Sequence, residues 1–234
     1  MQEKRSFKPL WAAFAVAVAL WSAGCCSTSP GSAEIPKGFV YIADVIPDPV
    51  FDVRYATDYN FVGTRIDGYR APKPVLTKEA AAALAKAAED LRKQGYRIVV
   101  YDAYRPQKAV THFVRWINDP AAPGVKAFFP NLTKNDLLKG GYIDARSGHS
   151  RGSVIDLSLA RMDGTPVDMG GAFDLFDEVS HPDSSRITPG QRRNRMILKA
   201  AMEKAGFVQL DTEWWHFRLK DEPYPDTYFD FDVQ

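Results

Sequence analysis

The sequence predicts a single α+β domain in which a small, mostly antiparallel sheet carries the functional site and is flanked by helices. Three observations lead there. A chain of 234 residues is long enough to bury one full hydrophobic core without help from disulfides. Past residue 36, strand-like and helix-like segments alternate, which argues against a pure bundle or a pure sandwich. No internal repeat divides the chain. The expected organisation is a leader over 1–24, a tether over 25–36 and one folded domain over 37–234.

In the leader, Lys4, Arg5 and Lys8 precede an uninterrupted apolar run from Leu10 to Trp21, followed by Ser22-Ala23-Gly24. That is the order of a secretory signal peptide. The run is shorter than the roughly 20 residues of a membrane-spanning helix, so export is favoured over a permanent helical anchor. Both cysteines, Cys25 and Cys26, fall where the leader ends, which leaves none for a disulfide in the core. Ala23-Gly24-Cys25 resembles a lipoprotein processing site with Cys25 as the acylated residue, although Ser22 stands where an aliphatic residue is usual. The expectation is a protein of the periplasm or cell envelope, either lipid-anchored to a membrane through Cys25 or simply secreted. Ser27 to Ala33 has the Ser/Pro/Gly composition of a flexible tether.

The elements of the domain follow in order. Thr77 is placed to cap a helix that runs through the alanine-rich stretch to Gln94, with Leu84, Ala88 and Leu91 on one side and Gly95 as its stop. Arg97 to Tyr101 reads as a buried strand. Pro106 suits a first helical turn and biases Arg105 toward extended backbone, so Arg105 sits at a strand-to-helix junction ahead of a helix over Gln107–Trp116. Asn118 to Gly141 is rich in Pro, Gly and Asn with little periodicity, and reads as a lid or a long surface loop. Gly152–Leu159 is strand-like, Gln191–Ala205 is a second clear helix closed by Gly206, and Glu213–Leu219 is a short aromatic strand. The segment Asp221–Gln234 mixes prolines with aromatics and is expected to pack on the body as irregular structure.

A formal net charge of +1 with 25% charged residues lacks the basic footprint of a nucleic-acid binder. Trp214 and Trp215 read as core and pocket walls, not a base-stacking platform. Function is therefore sought among the four histidines. His149 lies in the turn-like Ser147-Gly148-His149-Ser150-Arg151-Gly152, just before a strand in which Asp156 is embedded in apolar sequence. A carboxylate there needs a cation or several hydrogen bonds. His216 enters a strand among large aromatics, three residues after Glu213, and alternation would put those two on opposite faces unless Glu213 precedes regular pairing or sits at a bulge. Two imidazoles and a carboxylate form a catalytic zinc set with a fourth position open to water, and a neighbouring carboxylate that is not a ligand can take that water's proton. Each residue also has an ordinary reading: His149 as a turn residue, His216 as a core histidine, and Arg105 as the ion-pair partner of Asp102. Against that, a guanidinium fixed at a junction can face a developing oxyanion. His112 reads as a surface or packing residue, and His181 as a loop residue with a lesser prospect of lining the site.

Ser147 to Asp156 together with Glu213-Trp214-Trp215-His216 resembles the zinc D-alanyl-D-alanine dipeptidases, the VanX type within the D-Ala-D-Ala metallopeptidases. The resemblance runs from about Tyr41 to Val233 and takes in Tyr55-Ala56-Thr57, Asp67-Gly68-Tyr69, Asp102 to Pro106, Phe173-Asp174 and Asp221 to Pro225. It implies one Zn2+ per chain on His149, Asp156 and His216, with Glu213 as general base and Arg105 steadying the transition state. It also implies a D-Ala-D-Ala dipeptide as substrate, with Ser147 near its carboxylate and Asp174 with Tyr55 near its ammonium group. Gly148 departs from the serine found beside the histidine in close relatives. Two rival readings remain open: a carboxypeptidase or endopeptidase acting on peptidoglycan peptides, and a non-catalytic wall-binding protein on the same fold. Oligomeric state is not legible.

Overall fold

The computed structural model describes residues 35–234; the leader, Cys25 and most of the tether lie outside the described residues. From the N-terminal side the elements are β1 (Phe39–Tyr41), β2 (Val50–Phe51), β3 (Val75–Thr77), α1 (Lys78–Lys93), β4 (Tyr96–Asp102), α2 (Gln107–Asn118), α3 (Lys134–Lys139), β5 (Val154–Arg161), α4 (Pro189–Lys204), β6 (Phe207–Gln209) and β7 (His216–Leu219). β1 and β3 pair as a two-stranded antiparallel ribbon. The larger sheet has the order β2-β4-β5-β7-β6, with β2 parallel to β4 and the other pairs antiparallel, so the mostly antiparallel character predicted from the sequence holds.

The helices begin where side chains satisfy their free amides. Thr77 Oγ1 accepts from the N–H of Ala80 at 3.3 Å to start α1. Thr188 and Gln191 form a reciprocal capping box that starts α4. α1 turns Leu84 and Leu91 into the core, where it packs on α4 and on β4. β5 is the middle strand, and its residues from Val154 to Ala160 are all buried. Ile155, Leu157 and Leu159 fill one of its buried faces, while the other carries Val154 and Ala160 around the buried polar residues Asp156 and Ser158. It begins at Val154, later than the sequence suggests, because Gly152 is still in the left-handed conformation that ends the preceding turn.

The excursion from 118 to 141 is more ordered than its composition indicates. Thr133 and Asp136 form a capping box that starts α3, while Phe128, Phe129 and Leu137 are buried. The C-terminal segment is irregular, as expected, and is held by rings: Phe231 stacks on Tyr104 with centroids 4.0 Å apart, and Phe229 meets Phe39 edge-on at 4.9 Å. Phe229 N–H also donates to the carbonyl of Ser150 at 2.8 Å, so the tail crosses the turn that leads into β5.

Candidate metal centre

Strand register assembles the site. Asp102 lies opposite Asp156 across β4 and β5, and Asp156 lies opposite His216 across β5 and β7. Directly opposed residues of antiparallel strands project from one face, so a single row of the sheet carries three polar side chains side by side. His149 joins them from the short helical turn Gly148–Arg151. Ser147 caps that turn, its Oγ accepting from the His149 N–H at 3.3 Å. Gly152 ends it at φ +82°, where a Cβ would stand 2.3 Å from Phe39 Cε1. Gly152→Ala is therefore expected to cost about 2–5 kcal/mol, combining a left-handed alanine with overpacking against Phe39. Urea unfolding measures it, and a loss below about 1 kcal/mol would mean that the turn has another conformation available.

The three ligand atoms converge. His149 Nε2 lies 3.3 Å from Asp156 Oδ2, His216 Nδ1 lies 3.1 Å from Asp156 Oδ1, and the two nitrogens are 3.3 Å apart. A tetrahedral zinc with bonds of about 2.0–2.1 Å has ligand-to-ligand edges of about 3.3 Å, so the triangle fits one face of such a tetrahedron. Among the described residues, these three form a cluster whose ligand atoms all lie within 4.8 Å of one another. Asp156 Oδ1 is buried and accepts no hydrogen bond of good geometry, despite the close approach of His216. A buried carboxylate oxygen left in that condition is costly unless a cation meets it.

The electrostatics point the same way. Burial alone would raise the Asp156 carboxyl, yet His149 and His216 beside it hold it well below the usual carboxylate range. Burial lowers the His216 imidazole, but hydrogen bonding and charge from Asp156 and Glu213 outweigh that and raise it to about 9. The surroundings thus favour positive charge at the centre of the triangle. His149 Nδ1 meets the Ala103 carbonyl at 2.7 Å, which fixes the ring as an Nδ1 donor and leaves Nε2 with its lone pair aimed at Asp156 and His216.

Behind the triangle Arg105, a predicted site residue, is joined by Asp102 and Tyr69, to which the sequence reading gave no role in the site. Asp102, fully buried at the end of β4, accepts from Tyr69 Oη at 2.5 Å and from Arg105 Nε at 2.9 Å, and lies 3.6 Å from His149 Nδ1. Arg105 is both things the sequence allowed. It is the ion-pair partner of Asp102, and its Nη2 reaches to 3.5 Å from Asp156 while the guanidinium lies over the Tyr55 ring, 4.9 Å from the centroid. Held on three sides, it is a fixed positive charge on the wall of the cleft.

Glu213 precedes β7, in the turn where it was expected. Its Oε2 is 3.4 Å from His216 Nδ1, on the cleft side of the triangle. The neighbouring Trp214 and Trp215 are buried and form the platform beneath this turn, and the Trp214 N–H donates to the Ser180 carbonyl at 2.9 Å. Asp174 is held at φ +60°, an uncommon conformation for a residue with a side chain, and is nearly fully buried. Tyr55 Oη donates to its Oδ2 at 2.9 Å. Burial pushes the Asp174 carboxyl well above its ordinary range, and Arg105 only partly offsets that.

These groups line a cleft of about 540 Å³. Ser147, Tyr55, Asp174, Arg105, Glu213 and the triangle all face it, so every candidate predicted within the folded domain meets in one place. His181 lines the cleft as well. His112 does not; its Nδ1 accepts from the Asp67 N–H at 3.2 Å at the surface. Trp214 and Trp215 are core residues.

An α+β domain with an open cleft over two imidazoles and a carboxylate that could hold a metal ion, and with a glutamate and a guanidinium beside them, fits a metallopeptidase of the hydrolase class. The comparisons specify which one. The family described as D-ala-D-ala dipeptidase matches residues 36–234, and the chain belongs to that family. A D-alanyl-D-alanine dipeptidase of Enterococcus faecium is 41% identical over 199 residues, covering 84% of this chain and 98% of the relative. One from Streptomyces coelicolor is 41% identical over 197 residues, covering 83% and 98%. One from Escherichia coli is 36% identical over 180 residues, covering 77% and 83%.

Proposed function

We propose that the protein hydrolyses the D-alanyl-D-alanine dipeptide with one Zn2+ held by His149, Asp156 and His216. The observation that carries the zinc assignment is the triangle of ligand atoms around the orphaned Asp156 oxygen. Zinc, when bound there, supplies Lewis acidity that polarises the peptide carbonyl and acidifies water. Glu213 removes a proton from the attacking water and returns it to the departing amine. Arg105 faces the carbonyl oxygen as negative charge builds on it, and its ties to Asp102 and Asp156 mean that it need not reorganise as that happens. Asp174 and Tyr55 receive the ammonium group. A carboxyl whose ionisation burial disfavours gains from a cation brought beside it, and longer peptides lack a free amine at that point. Ser147 is placed at the carboxylate end of the dipeptide. The leader motif extends the proposal to an exported enzyme, anchored through Cys25, acting on wall fragments or in glycopeptide resistance.

A panel of D,D-, L,D- and L,L-dipeptides and a stem pentapeptide tests the substrate. The expected result is turnover of D-Ala-D-Ala with the pentapeptide at least ~10²-fold poorer in kcat/KM, because the longer chain leaves the buried Asp174 without a cation. Comparable turnover of the pentapeptide would replace this reading with that of a peptidoglycan carboxypeptidase.

A further inference from the structure

Two guanidinium groups line the cleft, and they differ in what they are bound to. Arg105 is committed to Asp102 and Asp156. Arg146, immediately before Ser147 on the exposed rim, forms no ion pair with any described residue. Asp144 shares that rim, but its carboxylate accepts from the Ala145 N–H and not from Arg146. What Arg146 does contact is the face of the Tyr228 ring, with Cζ 5.0 Å from the centroid. That ring is itself fixed: Arg151 Nη1 lies 3.5 Å from Tyr228 Oη, and Arg151 is locked to Glu222 by two hydrogen bonds of 2.8 and 2.9 Å. A guanidinium lying over an aromatic face keeps its in-plane N–H donors free, in the fork that matches a carboxylate.

We propose that Arg146 is a specificity-determining residue that binds the free C-terminal carboxylate of the substrate, and that Tyr228 holds it in place to do so. The inference rests on the dipeptide reading above and adds to it a charged partner for the carboxylate end. A dipeptide zwitterion carries opposite charges at its two ends. The buried end of the cleft offers a carboxylate, Asp174, and the exposed rim offers a cation with no acid of its own. The ammonium end therefore enters first and the carboxylate stays at the rim beside Ser147.

Steady-state kinetics on D-Ala-D-Ala and on its C-terminal amide, with the zinc-loaded wild type, Arg146→Ala, Arg146→Lys and Tyr228→Leu, test this. Arg146→Ala should raise KM for the free acid about tenfold or more while kcat changes less than about threefold, and should shrink the acid-over-amide preference in kcat/KM by the same factor. Lysine should restore part of the preference, since it keeps the charge but not the fork. Tyr228→Leu should fall between lysine and wild type. If Arg146→Ala keeps both the wild-type KM and the acid preference, while the wild type hydrolyses D-Ala-D-Ala, the assignment to Arg146 is overturned and the dipeptide reading stands. A wild type inert toward D-Ala-D-Ala overturns both.

Discussion

His149→Ala is expected to lose more than about 10²-fold in zinc affinity and, with the metal, essentially all turnover. Even removing a hydrogen-bond partner behind a ligand costs about 10–100-fold in affinity, and here the ligand itself goes. The loss should exceed that of an ordinary surface ligand because the site is built around this ring. His149 is buried, its Nδ1 is committed to the Ala103 carbonyl, and its Nε2 closes two edges of the triangle. Asp156→Asn is the companion variant. It keeps the shape but removes the charge that offsets burial at His216, so zinc should again be lost while the fold is retained. Metal content after dialysis against a weak chelator gives the answer, with urea unfolding as the control for folding. One equivalent of zinc retained at wild-type affinity by His149→Ala would dismiss the triangle as the metal site.

How much of this was legible in the sequence varies with distance along the chain. α1 announces itself through Thr77, whose cap acts within three residues, whereas α4 was legible from Gln191 onward but not its true start at Pro189 behind the Thr188 cap. α3 has the same kind of start at Thr133, but with six residues it shows too little periodicity to stand out from the Pro/Gly-rich sequence around it. The strands β1, β2, β3 and β6 are two or three residues long, which is shorter than any pattern of alternation. Within the site, His149 and Asp156 are close in sequence, whereas the pairing of Asp156 with His216 spans 60 positions and is settled by register alone.

The residues missed share a cause. Asp102 was noted only as an ordinary partner for Arg105, because nothing local shows that the bulge near the end of β4 carries its carboxylate to both Tyr69 and His149. Arg146 lies next to Ser147, but what singles it out is Tyr228, 82 residues on, and no spacing rule links the two. His181 was read first as a loop residue and only second as a site-lining one, because composition alone does not place the loop that brings it to the cleft. Ligand types and caps are chemistry that a sequence shows directly; the shell that orients them comes from tertiary packing.

Glu213→Gln should reduce kcat by about 10²–10⁴ while the protein still takes up one zinc when the metal is saturating. The reasoning is geometric first. Glu213 Oε2 sits 3.4 Å from His216 Nδ1 at the edge of the triangle, near enough to share a water with the metal position. It is held there by a turn whose next two residues are buried tryptophans, with the Trp214 carbonyl tied by Gln209 Nε2 at 2.8 Å. An amide of the same shape preserves that packing and can still orient water, but it has no basic oxygen with which to take the proton. The defect should therefore appear in kcat, with KM for the dipeptide little changed. Glu213→Ala should be at least as slow. Because Glu213 is also one of the two carboxylates that favour positive charge at His216, zinc affinity should weaken modestly in both variants, and turnover has to be measured at saturating zinc to separate that loss from the chemical one. A Glu213→Gln protein with one bound zinc and near wild-type kcat would remove Glu213 as the base and leave the proton to be carried by another cleft residue, with His181 the next titratable group to test.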